Sequence, residues 1–91
     1  MNETDARRAT EQFLEQYTND RPEYWEGNDP RLWCQCAAKG DANSFQVFFC
    51  VADSESADDP VIHELAREAM EALYAAHPEM KAYNISYDVS K

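Results

Sequence analysis

Residues 31–52 decide the fold: Arg31-Leu-Trp-Cys-Gln-Cys-Ala-Ala-Lys39, then Gly40-Asp-Ala-Asn43, then Ser44-Phe-Gln-Val-Phe-Phe-Cys-Val-Ala52. Two runs rich in aromatic and apolar residues, joined by a short Gly/Asp/Asn break, predict a β-hairpin. A four-residue loop at 40–43 pairs Lys39 with Ser44. Leu32 then faces Val51, Cys34 faces Phe49, Cys36 faces Val47 and Ala38 faces Phe45. Strand side chains alternate, so these eight share one side, which is wholly apolar. The other side holds Trp33 with Cys50, Gln35 with Phe48, Ala37 with Gln46 and Arg31 with Ala52, and is half apolar. A slip of one residue would mix the two sets, so the pattern itself argues for this register.

Upstream, residues 4–18 predict a helix, with Thr4 or Asn2 as N-cap and Asp5 favouring the first turn. Ala6, Ala9, Phe13, Leu14 and Tyr17 recur at helical spacing and form a narrow apolar stripe. Residues 18–30 have no period, and their two prolines, Gly27 and Asn/Asp residues read as a loop. That loop carries Tyr24 and Trp25 between Glu23 and Glu26, a plausible binding tip because such aromatics dominate interface energetics. The competing reading folds Trp25 back as a plug for the core.

Downstream, Asp53–Asp59 is an acidic linker without the spacing or central glycine of a calcium loop. Asp59-Pro60 reads as N-cap followed by proline at the first helical position. The helix from Pro60 to about His77 is stopped by Pro78. Ile62, Leu65, Ala69, Leu73 and Ala76, supported by Val61, Ala66, Met70 and Ala72, give it a broad apolar stripe. Tyr83, Ile85, Tyr87 and Val89 alternate with Asn84, Ser86 and Asp88, which predicts a strand with one wet side.

The order α-β-β-α-β predicts an α+β fold: one small domain, 1–91, with two helices and a three-stranded, mostly antiparallel sheet. A right-handed crossover makes the last strand parallel to the second. It then lies beside the first strand in an antiparallel sheet of order 2-1-3, or directly beside the second in a mixed sheet. This order resembles a ferredoxin-like unit without its first strand, a resemblance of topology and not of motif, which implies nothing about function.

Composition narrows the function classes. The chain has 91 residues, is 44% hydrophobic and carries 11 aromatic side chains, which fits a folded protein. Eighteen Asp and Glu against eight Lys and Arg give a net charge of −10. Such a chain lacks the basic footprint that phosphates need, so neither nucleic acid nor an anionic membrane is expected as a direct partner. No apolar run is long enough to span a bilayer, and the acidic start has no signal-like core, so the cytoplasm is the expected compartment.

Motifs for chemistry are absent or incomplete. Cys34 and Cys36 point the same way roughly 7 Å apart, too far for a relaxed disulfide along a strand. Cys50 falls on the opposite side, and neither His63 nor His77 has ligand spacing. His63-Glu64 begins a helical zinc motif, but Arg67 stands where the second histidine is required. No nucleophile elbow or glycine-rich phosphate cradle is present, and Asp88 is the one carboxylate on a regular sheet face. The expectation is a protein that is not an enzyme and uses no metal or cofactor.

Small size, strong acidity and exposed aromatics are shared with immunity proteins, antitoxins and phage-encoded inhibitors such as anti-CRISPR or anti-restriction proteins. The expected function is therefore docking on a basic, possibly nucleic-acid-binding, partner protein so as to inhibit or neutralise it. Expected contacts are Tyr24, Trp25, Asp53, Glu55, Asp58, Asp59, Glu64, Glu68 and Glu71. The alternative is a homodimer through the second sheet face, at Trp33, Gln35, Gln46 and Phe48, with acidity serving only solubility. Whether the first helix covers that second face decides whether it is packed scaffold or an open interface.

Overall fold

The computed structural model describes residues 3–38, 43–52 and 54–90. Helix α1 spans Glu3–Asn19, a 3₁₀ turn spans Pro22–Tyr24, and a two-residue hairpin joins β1 (Trp25–Glu26) to β2 (Asp29–Pro30). The main hairpin follows as β3 (Trp33–Ala38) and β4 (Ser44–Cys50). A short helix α2 (Ser54–Ala57), the long helix α3 (Pro60–Ala76), a second 3₁₀ turn (Pro78–Ala82) and strand β5 (Asn84–Ser90) complete the chain.

The register of the hairpin is the one the alternation demands: Trp33 faces Cys50, Cys34 faces Phe49 and Cys36 faces Val47. Strand β5 pairs parallel to β4, Ile85 beside Phe45 and Val89 beside Phe49, so the sheet is mixed in the order β3-β4-β5. Of the two sheets left open by the sequence, the antiparallel 2-1-3 order is the one not formed. The reason lies at the outer edge of β3. Helix α1 runs along that strand, and the Glu11 carboxylate accepts a hydrogen bond from the outward-facing Cys36 N–H at 2.9 Å. With that edge occupied, β4 offers the place that remains.

The opposite edge is blunted in the same way. Asn84 N–H donates to the Asn43 carbonyl and the Ser90 carbonyl accepts from Val51 N–H, so even-numbered positions of β5 face β4. By alternation the Val89 N–H faces outward, and the Asp88 carboxylate accepts from it at 2.9 Å. Carboxylates at both margins discourage strand addition.

Both long helices lie on one side of the sheet. Phe45, Val47 and Phe49 are fully buried in a core with Ala6 and Leu14 of α1 and Leu65, Ala66, Ala69 and Leu73 of α3. Across the sheet, Trp33, Gln35, Ala37, Asn84 and Asp88 are exposed, while Gln46, Phe48 and Cys50 are half-buried. The shortest dimension of the Cα trace is 18 Å, enough for one sheet and one helix layer but not for three layers at roughly 10 Å spacing. The fold is a two-layer α+β sandwich with one open sheet face.

Local signals explain the helix ends. The Asp59 side chain accepts from Val61 N–H at 2.9 Å with Pro60 at the first helical position, and His77 ends α3 ahead of Pro78. At the first helix, Thr4 lies inside α1 and does not cap it, and Asn2 falls outside the described residues. The buried line of α1 runs through Ala6, Thr10, Leu14 and Thr18, with Ala9, Phe13 and Tyr17 flanking it. Thr18 is accommodated by donating its hydroxyl hydrogen to the Leu14 carbonyl at 2.9 Å, which satisfies a polar group that burial would otherwise penalise.

Two stretches without periodicity have more structure than a loop. Gly27 takes φ of 65°, the left-handed backbone that a tight hairpin needs at its first central position, so Trp25–Pro30 folds back on itself. Met80, in the turn after α3, is fully buried and packs near Thr10. The acidic linker contains α2, and Asp53 lies outside the described residues.

Candidate surface for partner binding

Of the expected contact residues, Tyr24 is placed elsewhere. It is 1% exposed, its hydroxyl donates to the Leu65 carbonyl at 2.8 Å, and its ring meets Tyr17 edge-on at 5.7 Å between centroids. Burial, followed by the neighbouring Tyr17, pushes its phenol well above the usual range, so it stays protonated. Tyr24 joins the first helix to the third and is not a surface contact. Trp25 is half-buried, with its indole N–H donating to the Thr18 carbonyl at 3.0 Å, and so closes the end of α1. Beside it Arg21 stacks 3.6 Å above the Tyr17 ring.

The acidic residues behave differently. Glu55, Asp58, Asp59, Glu64, Glu68 and Glu71 are all exposed along α2, the α2–α3 junction and α3. Within this set Arg67 pairs with both Glu64 and Glu71, and that pairing holds the Glu64 carboxyl below the usual carboxylate range. Asp59 is engaged as the helix cap, and His63 Nε2 lies 2.6 Å from the Ala57 carbonyl, tying α2 to α3. Glu55, Asp58 and Glu68 are left as the least encumbered carboxylates of the set.

The small hairpin that periodicity missed adds to this surface. Glu26, Asp29, Asp59, Ser56, Arg31 and Trp33 line an open groove of about 590 Å³ between the hairpin and the α2–α3 junction. Three carboxylates and the edge of the exposed indole thus border one concavity. The Gly27 turn was the available signal for Glu26 and Asp29, because a glycine and an asparagine between two short runs mark a hairpin. Trp33 itself is 41% exposed and belongs to both the groove and the open sheet face.

The cysteines are not arranged for chemistry. Cys34 and Cys36 sit on the helix side of the sheet and are free, with Cys50 on the other side. Burial pushes both thiols up to about 12, helped at Cys36 by the Glu11 charge, so neither supplies a thiolate at neutral pH. Among the described residues no three His, Cys, Asp or Glu side chains group as a metal-ligand set. Nor is any helix among them long and apolar enough to cross a membrane. Compared with protein-family models, curated proteins and solved structures, the chain matches none.

Proposed function

We propose that the protein is an acidic protein-binding module that docks on a basic partner and inhibits or neutralises it. One observation carries the reading. Fifteen of the 18 Asp and Glu residues have described side chains, and all fifteen are exposed. With a net charge of −10, the solvated carboxylates create a negative field that draws a basic surface and speeds its encounter. Glu55, Asp58, Asp59, Glu64, Glu68 and Glu71 form the docking surface, with Glu26 and Asp29 extending it toward Trp25. An inhibitor of a nucleic-acid-binding protein, of the kind phages encode against host defence, is the more specific form of this reading.

The test is affinity capture from a host lysate at low and high salt, with the native chain and with Glu64→Lys, Glu68→Lys and Glu71→Lys combined. Basic partners retained at low salt, released as salt rises and lost with the triple variant support the reading. Capture that ignores both salt and charge reversal overturns it.

A further inference from the structure

We infer that the open face of the sheet is a self-association surface, on which a second copy of this chain packs face to face. Eleven strand side chains point to this side: Trp33, Gln35 and Ala37 of β3, Ser44, Gln46, Phe48 and Cys50 of β4, and Asn84, Ser86, Asp88 and Ser90 of β5, with Ser44 the buried one among them. One of the eleven, Asp88, is charged, in a protein where 29% of residues are. Asp88 also lies on the edge strand and turns its carboxylate to its own margin, onto Val89 N–H.

Charge selects the occupant. A basic partner is attracted to the carboxylate-covered helices and hairpin, and the open face offers it almost nothing. A second copy of net charge −10 is repelled by the carboxylate-covered helices and hairpin, and the open face is a patch on which two copies can meet with little repulsion. The chemistry is also self-complementary, as a two-fold contact requires, because the Gln35, Gln46 and Asn84 amides each donate and accept. Phe48 on the central strand and Trp33 at the start of the edge strand β3 supply the apolar anchors, the kind of side chain that holds interfaces. Edge-to-edge pairing is the competing geometry for a second copy, and the Glu11 and Asp88 carboxylates oppose it at the two margins.

The area sets the strength. Three strands at about 4.8 Å spacing and about 20 Å length give a footprint of roughly 300 Å² per copy. Even doubled for side-chain relief, this falls short of the roughly 800 Å² per partner of a standard interface. The dimer is therefore weak and populated at high concentration, and the acidic helices of both copies stay free for the docking proposed above.

Sedimentation of the full chain, from about 10 μM to about 1 mM, tests this. The weight-average mass rises toward twice the monomer, and does so at lower concentration in high salt, because salt screens the repulsion between like-charged copies. Gln35→Glu, a change at an exposed position, and Phe48→Glu each hold the protein monomeric across the range, while Val61→Glu on α3 leaves the dimer intact. A chain that stays monomeric to about 1 mM in both salts overturns the inference. So does a dimer that survives both face substitutions, or one that high salt dissolves. The sign of the salt effect is opposite to that of acidic docking, so failure of one reading is distinguishable from failure of the other.

Discussion

The two faces of the sheet are built from the same strands, one residue out of step, and they live in different solvents. Phe49 and Phe48 are neighbours in the chain, yet Phe49 is fully buried under the helices and Phe48 is half-buried on the open side. Cys36 and Gln35 divide likewise, the first half-buried and the second exposed. The covered face can hold small apolar residues because α1 and α3 close over it. The open face must satisfy water as well, and does so with amides and hydroxyls placed around two aromatic rings. One face makes the fold, and the other is available for contact.

The largest test of that contrast is a pair of truncations. Phe49→Ala is expected to destabilise the protein by about 3–5 kcal/mol, since it removes a buried ring and leaves a cavity. Phe48→Ala, which opens no cavity, should cost about 1 kcal/mol by the partial loss of buried area. Urea denaturation of both measures the gap, and equal losses would mean that the open face is covered after all.

Alkaline pH probes the covered face through its two thiols. An ordinary thiol titrates near about 8.5. Cys34 and Cys36 are pushed up to about 12 in the folded protein, so they bind protons more tightly folded than unfolded. Their contribution to stability is complete below the ordinary thiol range and is lost as pH rises toward 12. Thermal unfolding from pH 8 upward should show this decline, and Cys34→Ala with Cys36→Ala should flatten it. The raised Tyr24 phenol adds a further loss above the ordinary tyrosine range, which Tyr24→Phe removes.

Thiol alkylation reads the same burial chemically. At about pH 8, Cys34 and Cys36 should react at least about tenfold more slowly in the folded protein than after unfolding in urea, because burial keeps the thiolate scarce. Mass spectrometry of tryptic peptides follows the rates. Comparable rates in the two states would mean that packing under the helices does not hold these thiols protonated. The smallest effect belongs to the open face: Gln35→Thr should change stability by no more than about 0.5 kcal/mol, within the range of ordinary surface substitutions.

Much of the architecture was legible because it rests on local rules. Alternation in residues 31–52 specified the hairpin and its register, since any slip would turn the apolar set toward water. Asp59-Pro60 and Pro78 bounded α3 through backbone chemistry that needs no tertiary partner. What escaped was what depends on neighbours. Thr10 and Thr18 are buried because α1 lies tightly against the sheet and the turn after α3, and a threonine carries no sign of that. Tyr24 reads as an exposed aromatic between glutamates until the Leu65 carbonyl is found above it. Met80 stands in a stretch too short for any period.

The candidate surface divides along the same line. The exposed glutamates of α3 could be assigned from the helix period, and the separation of Trp33 and Phe48 from Cys34 and Phe49 followed from pairing alone. Composition likewise fixed the net charge of −10, whatever the fold. The tertiary structure decided that α1 joins α3 on one side and leaves the other open, because a two-stripe pattern is equally satisfied by helices on one face or on both. It also decided the strand order, through a helix and the Glu11 carboxylate occupying the edge of β3. Alternation says which residues share a face, and only packing says which face is covered.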